Sequence, residues 1–179
     1  KEKKIVLDYY NILDKAEGND ISKVLASHTA KDYIWRGYHP FNELSTPTEV
    51  SEIFWLPYRQ AFKNMQRRMD IFMAGKNEID GFESVWVISM GHLMGLFDNE
   101  WLGIKPSRKM AFLRYCEFNK IENGKIAETA MFIDIPHVMM QVGLNPFPSQ
   151  TAAQLVQPGP ITHEGLMFDE QDSAEGEKT

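Results

Sequence analysis

Apolar residues in the first third of the chain recur at helical spacing. Ile5, Tyr9, Ile12 and Leu13 fall at i, i+4, i+7 and i+8 and share one helical face. Gly18 suits the C-terminal end of that helix. Asn19 or Asp20 caps a second, short helix carrying Ile21, Val24, Leu25 and His28. The stretch from Tyr33 to Ser45, with Trp35, Gly37, His39, Pro40 and Phe41, reads as a loop. Thr46-Pro47-Thr48-Glu49 then predicts a sharp helix start: Thr46 caps, Pro47 takes the first helical position and Glu49 completes a capping box. This third helix carries Val50, Ile53, Phe54, Tyr58, Phe62 and Met65, with a kink or break expected at Pro57.

From about Met69 the period changes from helical to alternating. Asp70 to Gly75 reads as a strand and Ser84 to Phe97 as a long one. On the long strand Trp86, Ile88, Met90, His92, Met94 and Leu96 share one face, and Val85, Val87, Ser89, Gly91, Leu93 and Gly95 share the other. Glycines on one strand face imply bending, a bulge or close backbone approach. Arg108 to Ile121 and Lys125 to Asp134 are two further strands, joined by the strong hairpin signal Asn123-Gly124. A two-residue turn there pairs Glu122 with Lys125 and puts Asp134 on the face of Glu117, Tyr115 and Leu113. A longer loop with a bulge pairs Ile121 with Lys125 and puts Asp134 with Phe112, Arg114 and Cys116. The pattern leaves both open.

Helices first and antiparallel strands after predict the α+β class, with N-terminal helices packed on a strongly curved antiparallel sheet. After Pro136 come a short apolar segment, His137 to Val142, and then Gly143. From Pro146 the composition loosens, and Asp169 to Thr179 is acidic and polar. The expected division is one domain over residues 1–145 and an extended arm or linker over 146–179. Charged residues at both ends leave open whether the chain is a piece of a longer one.

Composition narrows the function classes. Of 179 residues, 43% are hydrophobic and 12% aromatic, enough for a real core and for either thick packing or a ring-lined pocket. A net charge of -6 argues against general binding to nucleic-acid phosphates. The one basic stretch, Gln66-Arg67-Arg68, reads as a solvated surface turn. The single cysteine, Cys116, lies in the apolar run Met110 to Phe118 and reads as a buried, inert thiol. No apolar run approaches the ~18 residues that span a bilayer. Lys1-Glu2-Lys3-Lys4 leads into an amphipathic segment rather than a signal peptide, so a cytoplasmic protein is expected. His28, His39, His92, His137 and His163 have no metal-ligand spacing, and no glycine-rich phosphate loop or G-x-S-x-G elbow occurs. No metal or other cofactor is expected.

Two stretches carry a resemblance to a known family. One runs from Trp86-Val87 through Gly91-His92 to Gly95-Leu96-Phe97, then Trp101-Leu102-Gly103-Ile104. The other runs from Arg114-Tyr115-Cys116-Glu117-Phe118 through Gly124-Lys125-Ile126-Ala127-Glu128 to Asp134, and on to Met140-Gln141-Val142-Gly143. In this order they resemble the SnoaL-like polyketide cyclases of the nuclear transport factor 2-like superfamily, over roughly residues 5 to 145. The resemblance implies a cone-shaped fold with a deep pocket between sheet and helices. It implies cofactor-independent acid–base chemistry (aldol cyclisation, isomerisation or dehydration) on a hydrophobic carbonyl compound. A non-catalytic small-molecule-binding protein of the same fold is the alternative, and an interaction domain that pairs through its sheet is a third reading.

Asp134 matches the acid/base Asp of the cyclases, and Phe132, Ile133 and Ile135 give it apolar neighbours in sequence. A strand-end Asp before Pro136 also serves simply as a cap. His92, in the family's Gly91-His92 pair, is its candidate catalytic partner, as a proton relay or an enolate ligand. The cyclases also carry a His on the strand before the Gly-Lys-Ile turn, and here Glu117 lies in that neighbourhood. Arg114 is expected either to pair with Glu117 or to hold a substrate carboxylate or enolate. Trp86, Trp35, His39, Tyr58, Met94 and Met140 complete the candidate substrate-binding set, each also explicable as core or surface. The expected partners are a hydrophobic small molecule and a second copy or similar domain covering the apolar sheet face, with no nucleic acid and no membrane.

Overall fold

The computed structural model describes residues 1–147, 159–162 and 165–169. Val6, Tyr9, Tyr10 and Leu13 form the buried stripe of α1 (Glu2–Leu13), and Ile21 and Leu25 that of α2 (Asp20–His28). Thr46 and Glu49 close the expected capping box at α3 (Pro47–Glu49), the Glu49 amide donating to Thr46 Oγ1 at 3.1 Å. A π-helical turn (Val50–Trp55) follows, then α4 (Leu56–Ala61) with Pro57 in its first turn. The break expected at Pro57 takes this form. Proline offers no N–H to the turn before it, and the wider turn stands directly upstream.

The helix stops at Ala61, short of the expected Met65. Phe62 instead opens β3 (Phe62–Lys76), where its ring stacks on Phe97 at 4.5 Å. Pairing with the neighbouring strand overrides local helical spacing. The expected loop from Tyr33 to Ser45 is likewise partly strand: β1 (Thr29–Arg36) and β2 (Glu43–Leu44). β1 gains its partner from β6, nearly a hundred residues downstream, a pairing that no local pattern announces.

β4 (Val85–Phe97), β5 (Met110–Glu122) and β6 (Lys125–Ile133) complete a six-stranded sheet in the order β2-β1-β6-β5-β4-β3. It is mixed, not wholly antiparallel, because β1 runs parallel to β6. The inner face of the sheet, under the helices, carries Phe72, Val87, Leu93, Phe97, Leu113, Tyr115 and Met131, all nearly fully buried. The outer face carries the row Trp86 to Leu96 and its cross-strand neighbours Phe112, Arg114, Cys116 and Phe118. Gly91 faces inward at a true close approach: a Cβ there would lie 2.0 Å from the Arg68 carbonyl oxygen.

The hairpin resolves the question of Asp134 by combining both alternatives. Asn123 and Gly124, with φ of 49° and 76°, make a two-residue turn that pairs Glu122 with Lys125. The ladder then shifts, from Ile121 opposite Ile126 to Lys120 opposite Glu128, so Ala127 is one extra residue. That bulge carries Asp134 to the face of Arg114. Asp134 caps α5 (Ile135–Gln141), and the Gln141 side chain bonds the Phe112 amide (2.9 Å) and carbonyl (2.8 Å), closing the ladder where β6 has ended. Residues 165–169 lie at the β3 edge of the sheet: Leu166 bridges Phe72, and Lys3 bonds the carbonyls of Met167 and Asp169. Among the described residues, no helix is long and apolar enough to cross a membrane.

Candidate functional site

The sheet's two faces hold two polar clusters. The inner one centres on Arg67. Its Nε and Nη2 donate to Asp14 at 3.1 and 3.3 Å, and its Nη1 donates to Glu117 at 3.0 Å. Its guanidinium lies 3.9 Å from the Tyr10 ring centre, 5.1 Å from Tyr115 and 5.7 Å from Trp55. Asn119 donates to Glu117 and to the Tyr10 hydroxyl, and accepts from Thr129. Tyr115 and Ser89 share a 2.8 Å hydrogen bond.

Burial works against the charge of Arg67, but Asp14, Tyr115 and Glu117 hold its pKa well above the usual value. Burial pushes the Glu117 carboxyl up, and Arg67 opposes that rise. The side chains of Arg67 and Glu117 are each 2% exposed. Tyr10, Trp55, Tyr115 and Asn119 are buried alongside them.

The outer cluster is a row across the strands. His92 stands opposite Arg114, whose Nη2 donates to Asp134 Oδ2 at 2.6 Å. The other Asp134 oxygen accepts the His137 amide at 3.0 Å, so this carboxylate serves an ion pair and a helix cap. His92 Nδ1 lies 3.4 Å from Asp70 Oδ2, and its Nε2 is buried without a hydrogen-bond partner. Burial lowers the His92 pKa and Asp70 works against that, with Arg114 and His137 adding to the lowering. Among the described residues, no group of three His, Cys, Asp or Glu side chains is placed to hold a metal ion.

Thus Asp134, His92 and Arg114 come together, but on the outer face rather than under the N-terminal helices. Arg114 does not pair with Glu117, because residues three apart on a strand face opposite sides. Trp35 and Tyr58 are core: Trp35 packs on Phe41 and Phe54, and the Tyr58 hydroxyl donates to the Leu93 carbonyl. His39 is exposed in the β1–β2 connection, while Met94 and Met140 are half-buried. Cys116 is half-buried on the outer face, its thiol pushed up by burial. Trp86 lines a shallow groove of about 430 Å³ with Ile88, Phe118, Ala130, Phe132 and residues Gly75 to Asn77.

Sequence reasoning missed Arg67, Asp14, Asp70 and Asn119. Arg67 reads as surface only while the third helix is extended to Met65. A strand beginning at Phe62 puts Met65, Arg67, Met69 and Phe72 toward the helices, after irregularities near Asn64 and Asp70.

No protein-family model and no curated protein matches the sequence. Solved structures do match. AclR from Streptomyces galilaeus, assigned as a hydroxylase, aligns at a TM-score of 0.61 and 17% identity, covering 79% of this chain and 95% of that one. A protein assigned as a SnoaL-like polyketide cyclase from Jannaschia sp. CCS1 aligns at 0.61 and 15% identity, covering 81% and 93%. An NTF2-like protein from Burkholderia thailandensis aligns at 0.55 and 14% identity, covering 79% and 96%. At such identities the likeness speaks for the fold. With a six-stranded curved sheet under N-terminal helices, the chain shares the α+β fold of these SnoaL-like and NTF2-like structures.

Proposed function

We propose that this domain is a non-catalytic small-molecule-binding protein that works through the outer face of its sheet. The groove of Trp86, Ile88, Phe118, Ala130 and Phe132 carries the reading. Its volume of about 430 Å³ suits a compact apolar ligand, and its walls are mostly rings and aliphatic side chains, with Lys76 and Asn77 beside them. Tyr10, Trp55, Tyr115 and Asn119 on the inner side are buried around Arg67, and the Asp134 carboxylate has both oxygens engaged. The remainder of the outer face pairs with a second copy of the domain, whose sheet closes the groove. Met90, Met94, Phe112 and Cys116 continue the apolar surface beyond it.

Titration with an apolar fluorescent probe such as anilinonaphthalene sulfonate tests the binding. Wild type is expected to bind saturably. Phe118→Glu, which removes a ring contact worth about 1.5–3 kcal/mol, should weaken binding roughly ten- to hundredfold. Equal binding by the variant refutes the site. Light scattering showing a monomer at micromolar concentration refutes the pairing.

One observation favours a second reading, cofactor-independent acid–base chemistry of the cyclase kind. His92 has Nδ1 directed at Asp70 and an unpartnered Nε2, the arrangement of an oriented neutral base. Turnover of an enolisable apolar ketone that disappears in His92→Gln supports it, and turnover unchanged in that variant removes it.

A further inference from the structure

Trp86 stands apart from the other tryptophans. Trp35, Trp55 and Trp101 are each 2% exposed and belong to the core, whereas Trp86 is half-buried on the outer face of the sheet. Its indole N–H donates to Ser84 Oγ at 3.0 Å, and Ser84 in turn donates to Asp80. That relay fixes the ring near the start of β4. Phe132 meets Phe118 and Tyr38 edge-on, with ring centres 5.8 and 4.8 Å apart, and Trp86 joins neither contact.

Directly opposite Trp86 on β3 is Gly75. A large ring across from a strand glycine commonly lies over it and covers the bare backbone. Here it does not, because a Cβ added at Gly75 would meet no atom within 4 Å. Nor does the backbone require glycine, since the φ of Gly75 is not positive. Glycine weakens a strand interior, and neither conformation nor close approach accounts for it at this position. Its effect is to leave space beside a fixed indole, inside the groove of about 430 Å³ that both residues line. Ala130, opposite Phe118, keeps the far side of the groove floor low as well. Among the described residues, the one charge on the lining is the cation Lys76.

We propose that this groove takes a planar aryl carboxylate, its ring seated over Gly75 against the indole of Trp86 and its carboxylate toward Lys76. Resting on the reading of the groove as a ligand site, this assigns the ligand's class and makes Gly75 the residue that selects it. A flat ring gains stacking on the indole that a puckered, saturated ring of the same charge lacks. A side chain at Gly75 takes the ring's place. Lys76 is exposed, so its pull on the carboxylate is modest.

The test is naphthalene carboxylate titrated into the full chain, with decalin carboxylate as the saturated isostere of equal charge. The indole N–H resonances of tryptophan-labelled protein read the site directly, and the three buried tryptophans serve as controls. The expected result is a saturable shift of Trp86 alone, with the aromatic acid binding roughly tenfold tighter than the saturated one. Gly75→Val should weaken it by roughly tenfold and Lys76→Gln by about threefold. Equal binding of the two acids, unchanged affinity in either variant, or a shift of all the tryptophans together overturns the proposal. Should Gly75→Val not fold, Gly75→Ala carries the comparison, and unchanged affinity there overturns it too. If anilinonaphthalene sulfonate binds wild type and is weakened by Phe118→Glu while these arms fail, the groove stands and its assignment to aryl carboxylates falls. If neither the sulfonate nor the aromatic acid binds wild type, both fall.

Discussion

Replacing Arg67 with Met isolates what the inner ion pairs contribute. Among the described residues, Arg67 is the cation that pairs with the buried Glu117 carboxylate, and both side chains are 2% exposed. Arg67→Met keeps most of the aliphatic stem but leaves Glu117 with Asn119 as its remaining hydrogen-bond donor. Asp14, partly exposed, regains water and adds little to the loss. Removing one partner of a buried pair costs about 3–5 kcal/mol, or roughly 10 °C of melting temperature at about 2–4 °C per kcal/mol.

The loss has a pH signature. Burial already raises the Glu117 pKa above its ordinary value, against the pull of Arg67. Such a group favours the folded state at pH below its unfolded value, and that contribution fades as pH rises through the folded one. Without Arg67 the folded value rises further, so the variant keeps losing stability at pH values where wild type has levelled off. Urea denaturation at pH 5 and pH 8 should show a deficit that widens with pH. Arg67→Met combined with Glu117→Leu should recover most of it, since an apolar replacement of the whole pair is near neutral. A deficit below about 1 kcal/mol, or one independent of pH, would refute the view of Arg67 as the electrostatic centre of the interior.

Other outcomes follow from single contacts. Gly91→Ala should cost about 3 kcal/mol or more, because its Cβ meets the Arg68 carbonyl at 2.0 Å and backbone must move; denaturant midpoints measure this. Gln141→Leu leaves the Phe112 amide and carbonyl without their partners and should cost about 2 kcal/mol, with faster exchange of the Phe112 amide. His92 should titrate below its usual value, and Asp70→Asn should lower it further by removing the opposing carboxylate; NMR of the imidazole reads both. Because its folded pKa is depressed, His92 contributes stability that is present above its unfolded pKa and lost as pH falls through the folded one.

Local chemistry determined much of this protein. The capping box at Thr46, the disruption at Pro57 and the turn at Asn123-Gly124 all follow from backbone constraints within a few residues. The alternation of β4 correctly grouped His92 with Trp86 and Met94, since a pleated strand sends neighbours to opposite faces. Which face is covered by helices is a separate matter, decided only when the layers pack. His92, Arg114 and Asp134 therefore form one row, as their spacing allowed, but on the side away from the N-terminal helices.

Two further decisions belong to the tertiary structure alone. The bulge at Ala127 shifts β6 by one residue, and with a period of two that reverses the company of Asp134. The pairing of Phe62 to Lys76 with β4 converts an apparent helix end into a strand and turns Arg67 inward, where Asp14 and Glu117 meet it. A buried charge needs partners from distant segments. Sequence spacing could not name α1, β3 and β5 as those partners, because only the assembled sheet and helices bring them within hydrogen-bonding distance.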